Sequence, residues 1–268
     1  MAVTITASLV DAGDPRPVQI ILTGVPSGAH YTVTGTAGDS SWPVPGGVGV
    51  SEGEQIVLVD NRSALNVAVV YTALVDGVTY ETYPVYVVAQ GKYVLQSLDG
   101  RRSVQFVLQA NGLPRDVVVR SQTFDVPGRP RPPGRYAEGG DGGGALALRT
   151  SREDSAEMHA LVRAGRPVVL RTDGTVRDFP AVTLLVLMEA SSQMWDAVDA
   201  LTGEMSTERV WDLGYVIVND PEPGRVLAAF TWDDFDEAMT GLTWDDFDAM
   251  FAGTTWDDFD TTDWGQYL

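Results

Sequence analysis

The chain reads as a mainly β protein: two sandwich-type domains followed by a tail of short helical repeats. Three observations carry this. Apolar residues alternate with polar ones over many short runs separated by Gly, Pro, Asp and Ser turns, which is the period of half-buried strands. Only one long stretch, 152–164, has a helical pattern with both ends marked. A hexapeptide, Thr-Trp-Asp-Asp-Phe-Asp, begins at 231, 243 and 255, a twelve-residue repeat too short to fold alone. With 268 residues, 44% of them apolar, there is material for two cores and a tail.

Residues 1–90 predict an immunoglobulin-like or fibronectin-like β-sandwich of about seven strands. Alternation runs through Val3, Ile5, Ala7 and Leu9, then Val18, Ile20 and Leu22, then Tyr31 and Val33, and continues over 56–59, 67–73 and 78–88. Asp76-Gly77 between two apolar runs is a hairpin turn. Trp42 to Gly47 is expected in a loop or edge strand, because Pro43 and Pro45 cannot donate to a central ladder. The disulfide and core-tryptophan pattern of antibody domains is absent. Tyr83 and Tyr86 flank Pro84, and the alternation there predicts that at least one packs inward.

Residues 91–221 predict a second β-sandwich carrying one helix. A hairpin is expected around Asp99-Gly100, and further strands over 116–121, 145–149, 168–171, 176–179, 182–188 and 209–218. The helix, 152–164, has Ser151 as its N-cap, Glu153 and Asp154 in its first turn, and Gly165-Arg166-Pro167 as its stop. Before it lies a Pro, Gly and Arg arm, 127–144, whose Glu138–Gly144 part reads as a glycine-rich loop. Its Arg129, Arg131 and Arg135 are candidates for gripping a neighbouring subunit.

Residues 222–268 form the acidic tail. In each repeat the threonine caps a helix of about two turns and the aspartates occupy its first turn. Gly241 and Gly253 stand where such helices would stop. Trp232, Phe235, Trp244, Phe247, Trp256 and Phe259 then present one aromatic pair per twelve residues. A solvated linker gains nothing from aromatics so placed, so these six are candidate partner-binding residues.

Charge is uneven: residues 1–90 are net −6, 91–177 are +5, 178–230 are −7, and the tail from 231 is −11 with no Lys or Arg. A total of −19 argues against nucleic acid as a partner. No cysteine is present, which excludes disulfides and thiolate chemistry and suits assembly in a reducing cytoplasm. The first six residues lack the basic flank and apolar core of a signal peptide, and the apolar runs are strand-sized, so neither ordinary secretion nor membrane insertion is expected. The two histidines, His30 in an expected loop and His159 on the expected helix surface, cannot build a triad or a multi-histidine metal site. The paired aspartates lack the glycine turn and closing glutamate of a calcium loop, and three copies do not suggest one glycosidase cleft. Gly139 to Gly144 lacks the lysine of a phosphate loop and the fingerprint of a dinucleotide loop. The reading is therefore of a protein that is not an enzyme and takes no cofactor.

The order of features over residues 90–268 resembles the minor tail proteins of long-tailed bacteriophages that infect actinobacteria, and the second domain resembles the sandwich of distal tail proteins. The features are Ala145 to Arg171 as strand, capped helix and strand, then Arg209, Trp211 and Leu213 on a valine-rich strand ending before Pro221, then the Thr-Trp-Asp-Asp repeats. An extra β-domain precedes the matching part, and Gly214-Tyr215 replaces the proline-bearing continuation of the tryptophan strand. The resemblance implies a non-enzymatic virion component at the tail tip, assembled in the host cytoplasm, with copies of itself in a ring and other tail-tip proteins as partners. From another class, a carbohydrate-binding module for host-surface glycan is the second reading, since sandwiches with exposed aromatics bind sugars.

Overall fold

The computed structural model describes residues 2–11, 13–53, 55–109, 116–118, 122–123, 134–135, 140–176, 179–194 and 208–221, with 116–118, 122–123, 134–135 and 140–141 described by backbone alone. Over these residues the protein is mainly β, with one helix.

The first body holds β1 (Thr4–Leu9), β2 (Val18–Thr23), β3 (His30–Ala37), β4 (Ser40–Val50), β5 (Ile56–Asp60), β6 (Ala68–Val75), β7 (Val78–Glu81) and β8 (Val85–Tyr86). They form two antiparallel sheets, β1-β2-β5 and β4-β3-β6-β7, with β8 paired to the start of β6. The alternation does what its period requires: Val18, Ile20 and Leu22 of β2 and Val69, Tyr71 and Ala73 of β6 are fully buried in one core between the sheets. Asp76 and Gly77 both have positive φ, 46° and 84°, as a tight β6–β7 hairpin demands. Pro43 and Pro45 lie in β4, which among the described residues has β3 as its one ladder partner, so this edge tolerates them. Trp42 of the same strand is only 4% exposed and belongs to the core. His30 opens β3 instead of lying in a loop.

The second body holds β9 (Tyr93–Ser97), β10 (Ser103–Leu108), β11 (Asp116–Val118), β12 (Gln122–Thr123), β13 (Gly134–Arg135), β14 (Gly140–Thr150), α1 (Arg152–Ala164), β15 (Val168–Thr172), β16 (Val182–Met194) and β17 (Arg209–Ile217). Its main sheet runs β10-β9-β15-β16-β17-β14-β11, and β10 also pairs with β14 through Val107↔Arg149 and Leu108↔Leu148. The six strands from β10 round to β14 therefore close on themselves, with inward side chains filling the interior as expected at this strand number. Leu95, Phe106, Leu148, Leu170, Leu185 and Trp211 are among that filling. The closing seam is only two residue pairs long, and α1 lies against both of its strands, placing Met158 and Leu161 in the same core. The helix is capped as the sequence predicts: Ser151 Oγ accepts from Asp154 N at 3.1 Å, and Gly165 ends it at φ 60°.

In the second body four expectations need correction. Gly140–Gly144 is strand, not loop, because it pairs with β11 through Gly140 and Gly143 and with β17 through Gly143 and Gly144: a Cβ on Gly143 would meet Tyr215 O at 2.2 Å, so only glycine allows the pairing. β16 runs on to Met194 past a bulge at Met188, since β17 pairs with it from Leu185 to Met194. Val176 and Phe179 are not in a strand; Phe179 N donates to Val176 O in a turn, which delivers the Phe179 ring to the core. His159 is not merely on the helix surface but packs edge-on against Trp211, ring centroids 4.6 Å apart. The helices expected in the repeat tail lie outside the described residues, as does most of the 127–144 arm.

The two bodies share a wall. On β9 and β15 alternate side chains face opposite cores: Leu95, Val168 and Leu170 point into the closed body, Val94 and Val169 into the first sandwich. All five residues of β15 are buried, which is why that strand reads as a continuous run and not an alternation. The run contains Arg171, fully buried, whose Nε donates to Ser63 O at 2.7 Å, Nη1 to Gln96 Oε1 at 2.8 Å and Nη2 to Ser63 Oγ at 3.1 Å. Replacing Arg171 by Met removes one charge and leaves Asp60 buried without its compensation. Urea unfolding of Arg171→Met is expected to show a loss of about 3–5 kcal/mol, part of which Asp60→Asn restores in the double variant. A loss under about 1 kcal/mol would mean that the guanidinium is dispensable to the junction.

Candidate functional site

Around Arg171 the first body contributes a loop that has no business being buried by composition. Asp60 ends β5, Asn61, Arg62, Ser63, Ala64 and Leu65 lead from it toward β6, and all six are enclosed. Such a loop must satisfy its backbone elsewhere, and the second body does it. Leu65 N donates to Thr172 O at 3.0 Å, Gln96 Nε2 to Asn61 O at 2.8 Å, and Asn61 Nδ2 to Leu98 O at 3.0 Å. Arg62 Nη1 is ion-paired with Asp220 just after β17. Asn61 Oδ1 and Arg62 Nε find no partner among the described residues.

The carboxylate of Asp60 is the negative centre of this network. It accepts from Trp42 Nε1 at 2.9 Å, Tyr71 OH at 2.9 Å and Arg62 N at 2.8 Å. Burial lowers the Arg171 pKa to about 10 while the charge of Asp60 opposes that fall, so the guanidinium stays protonated at neutral pH. Burial, with the neighbouring Asp60 carboxylate, pushes the Tyr71 phenol well above its ordinary 10.0. Apart from Asn61 Oδ1 and Arg62 Nε, the polar groups named here are engaged by protein, as in a structural joint.

An open cleft among the described residues lies beside the joint, at the end of the closed body. A cleft of about 1030 Å³ is bounded by the β9–β10 turn on one side and the last turn of α1 on the other. Gly100 has φ 78° and a Cβ there would reach Asn61 Nδ2 at 2.5 Å, so the turn rests directly on the buried loop. The turn presents Arg101 and Arg102, the helix end adds Arg166, and Pro221 forms part of the rim. Two carboxylates also line it. Asp99 accepts from Ser97 Oγ at 2.5 Å and Arg101 N at 3.2 Å, and although burial alone would raise its pKa, these bonds and the Arg101 charge hold it below the usual range. Glu157 pairs with Arg102 at 2.8 Å across the cleft, tying hairpin to helix.

The sequence-predicted partner-binding residues are not brought together here. Trp232, Phe235, Trp244, Phe247, Trp256, Phe259, Arg129 and Arg131 lie outside the described residues; Arg135 sits in β13, paired with Gln122, with its side chain undescribed. The expectation that Tyr83 or Tyr86 packs inward is corrected. Tyr83 is 93% exposed and Tyr86 56%, because the chain leaves β7 before Pro84 and β8 is only two residues long. No group of three or more His, Cys, Asp or Glu among the described residues could hold a metal ion, and no described helix is long and apolar enough to cross a membrane. Neither a protein-family model nor a curated protein matches the chain.

The joint has a pH signature. Folding keeps the Tyr71 phenol protonated above its ordinary pKa, so its contribution is complete below pH 10 and falls away as pH rises further, where the unfolded chain releases the proton first. Tyr71→Phe should cost about 1.5–3 kcal/mol at neutral pH, the worth of a hydrogen bond to a charged acceptor, and should flatten the decline of stability above pH 10 in urea titrations. An unchanged alkaline slope would show that this phenol does not report on the joint.

Proposed function

We propose that the protein is a structural component of the tail tip of a long-tailed bacteriophage, forming or decorating the ring at the distal end of the tail tube. Its C-terminal repeats dock neighbouring tail proteins. The observation that carries this reading is the β14–α1–β15 unit within a closed antiparallel body, followed by the Arg209, Trp211 and Leu213 strand. That is the order in which the sequence resembles distal tail proteins, and the Thr-Trp-Asp-Asp repeats follow it after Pro221. The two-sheet packing of the first body suits an immunoglobulin-like module joined to the ring subunit. A joint built from buried hydrogen bonds suits a load-bearing part better than a moving one.

In this role the protein is a virion subunit, not an enzyme, with copies of itself and other tail-tip proteins as partners. Mass spectrometry of purified virions should find it in every particle. Alanine at Trp232, Trp244 and Trp256 should reduce incorporation stepwise, each buried tryptophan contributing on the order of 2 kcal/mol and the triple variant losing most. Normal incorporation of the triple variant would remove the docking role from the repeats.

The exposure of Tyr83 and Tyr86 favours the second reading, a surface that stacks on host glycan. Incubated with purified host cell wall, the protein should release no soluble fragments. Sedimentation with the wall that is lost in Tyr83→Ala would establish glycan binding, whereas release of fragments would overturn the non-enzymatic reading.

A further inference from the structure

We infer that the cleft between the β9–β10 turn and the end of α1 is the docking site for the first acidic aromatic repeat, Thr231–Asp236, of the same chain. The inference goes beyond the virion role and holds for the isolated protein. Its first support is where the chain goes. Pro221 lines the cleft, so the segment that carries the tail departs from its rim. Trp232 follows eleven positions later, a distance that roughly 3.3–3.6 Å per residue lets the chain cover in any direction around the cleft. A tether of this length holds the repeat at a high effective concentration, of the order of millimolar, which a second molecule in dilute solution does not match.

The second support is charge. The tail from 231 carries −11 without a basic residue, and the chain as a whole is −19, so a basic rim is the exception on this surface. Asp99 is occupied by Ser97 and Arg101 N, and Glu157 by Arg102. Among the described residues, the guanidinium groups of Arg101 and Arg166 are in no ion pair within 4.0 Å. The carbonyl end of α1 would by itself repel carboxylates; Arg163 in its last turn and Arg166 just past it reverse that sign.

The third is shape and polarity. At about 1030 Å³ the cleft is at the upper end of sites that enclose a drug-sized ligand, roughly 300–1,000 Å³, and so admits a Trp and a Phe side chain together. Leu98, Ala164 and Pro167 give it an apolar lining between the arginines. Trp232 and Phe235 supply apolar area and Asp233, Asp234 and Asp236 the charge. The cleft takes one repeat, which leaves those at 243 and 255 for other partners.

The absence of native cysteine gives a direct test in the full chain. Ala164, exposed on the cleft, and Ala229, two residues before the repeat, are both replaced by Cys and the protein is mildly oxidised at low concentration. The expected product is an intramolecular disulfide, seen as a faster-migrating monomer on non-reducing gels and confirmed by peptide mass. Its rate of formation should fall about tenfold when Arg101, Arg102 and Arg166 are changed to Glu, and similarly for Trp232→Ala with Phe235→Ala. Covalent dimers as the main product would transfer the site to a second copy's tail and overturn the inference. Equal rates in the altered forms would overturn it too, since a loose tail would then be meeting the cleft by chance. In the unaltered protein, amide exchange over 97–102 should be slower than in the Trp232→Ala, Phe235→Ala form, and identical exchange would count against docking.

Discussion

A guanidinium sealed from water sets the terms on which the two β bodies share a core. Moving a charge into the interior costs several kcal/mol unless partners replace its hydration. Arg171 is 0% exposed, and its replacements are Ser63 and Gln96 in hydrogen bonds with Asp60 as the opposite charge. Asp60 has the same requirement and meets it with Trp42, Tyr71 and Arg62 N. Each partner is thereby constrained by the next, from β4 through the 60–65 loop to β15. The apolar contact between Val94, Val169 and the first core is non-directional and would permit many angles between the bodies. Hydrogen bonds are directional, so the polar chain selects one of them.

The closed body depends on a different constraint, the tightness with which β14 lies against β17. Gly143 marks the closest approach, where a methyl group would sit 2.2 Å from a carbonyl oxygen. Beyond it the chain passes directly into Ser151 and α1, so the helix is fixed over the seam by the strand it continues. Trp211 Nε1 donates to Thr150 Oγ1 at 3.0 Å, and Thr150 is in turn bonded to Ser155 of the helix at 2.9 Å. The largest side chain of the core is thus tied to the element that covers it. From that lid the last turn of α1 projects toward the β9–β10 hairpin, and the cleft between them follows from how both ends are held.

Features whose causes are local were legible in the sequence. The caps of 152–164, the Asp76-Gly77 turn and the inward set Val18, Ile20 and Leu22 depend on residues within a few positions of each other. What was not legible depends on distant partners. Asp60 to Ser63 has the composition of a surface turn and is buried only because a wall from residues 93–97 and 168–172 arrives to satisfy it. Gly140–Gly144 resembles a linker until a neighbouring strand needs room. Met188 is 66% exposed and residues 189–193 are polar but for Ala190, so β16 offered no inward pattern to extend the strand; pairing with β17 extends it. The arginine cleft combines a turn at 99–102 with a helix end at 164–167, and the one hint in the sequence was the net +5 of the middle segment.

The distribution of charge and aromatics then divides the labour in the proposed assembly role. At physiological salt, attraction between charges fades over about 8 Å, so the −11 tail and the basic middle segment attract only at close range. Charge therefore guides the final approach, and aromatic burial must hold the contact. Three repeats twelve residues apart are separated by at most roughly 40 Å when extended. Sites that accept identical segments at one regular spacing are what a closed ring of identical subunits presents. In that role, a chain with two joined β bodies and evenly spaced anchors at 243 and 255 is matched to such a surface: the bodies set its position, and the anchors engage neighbours without either contact having to be strong.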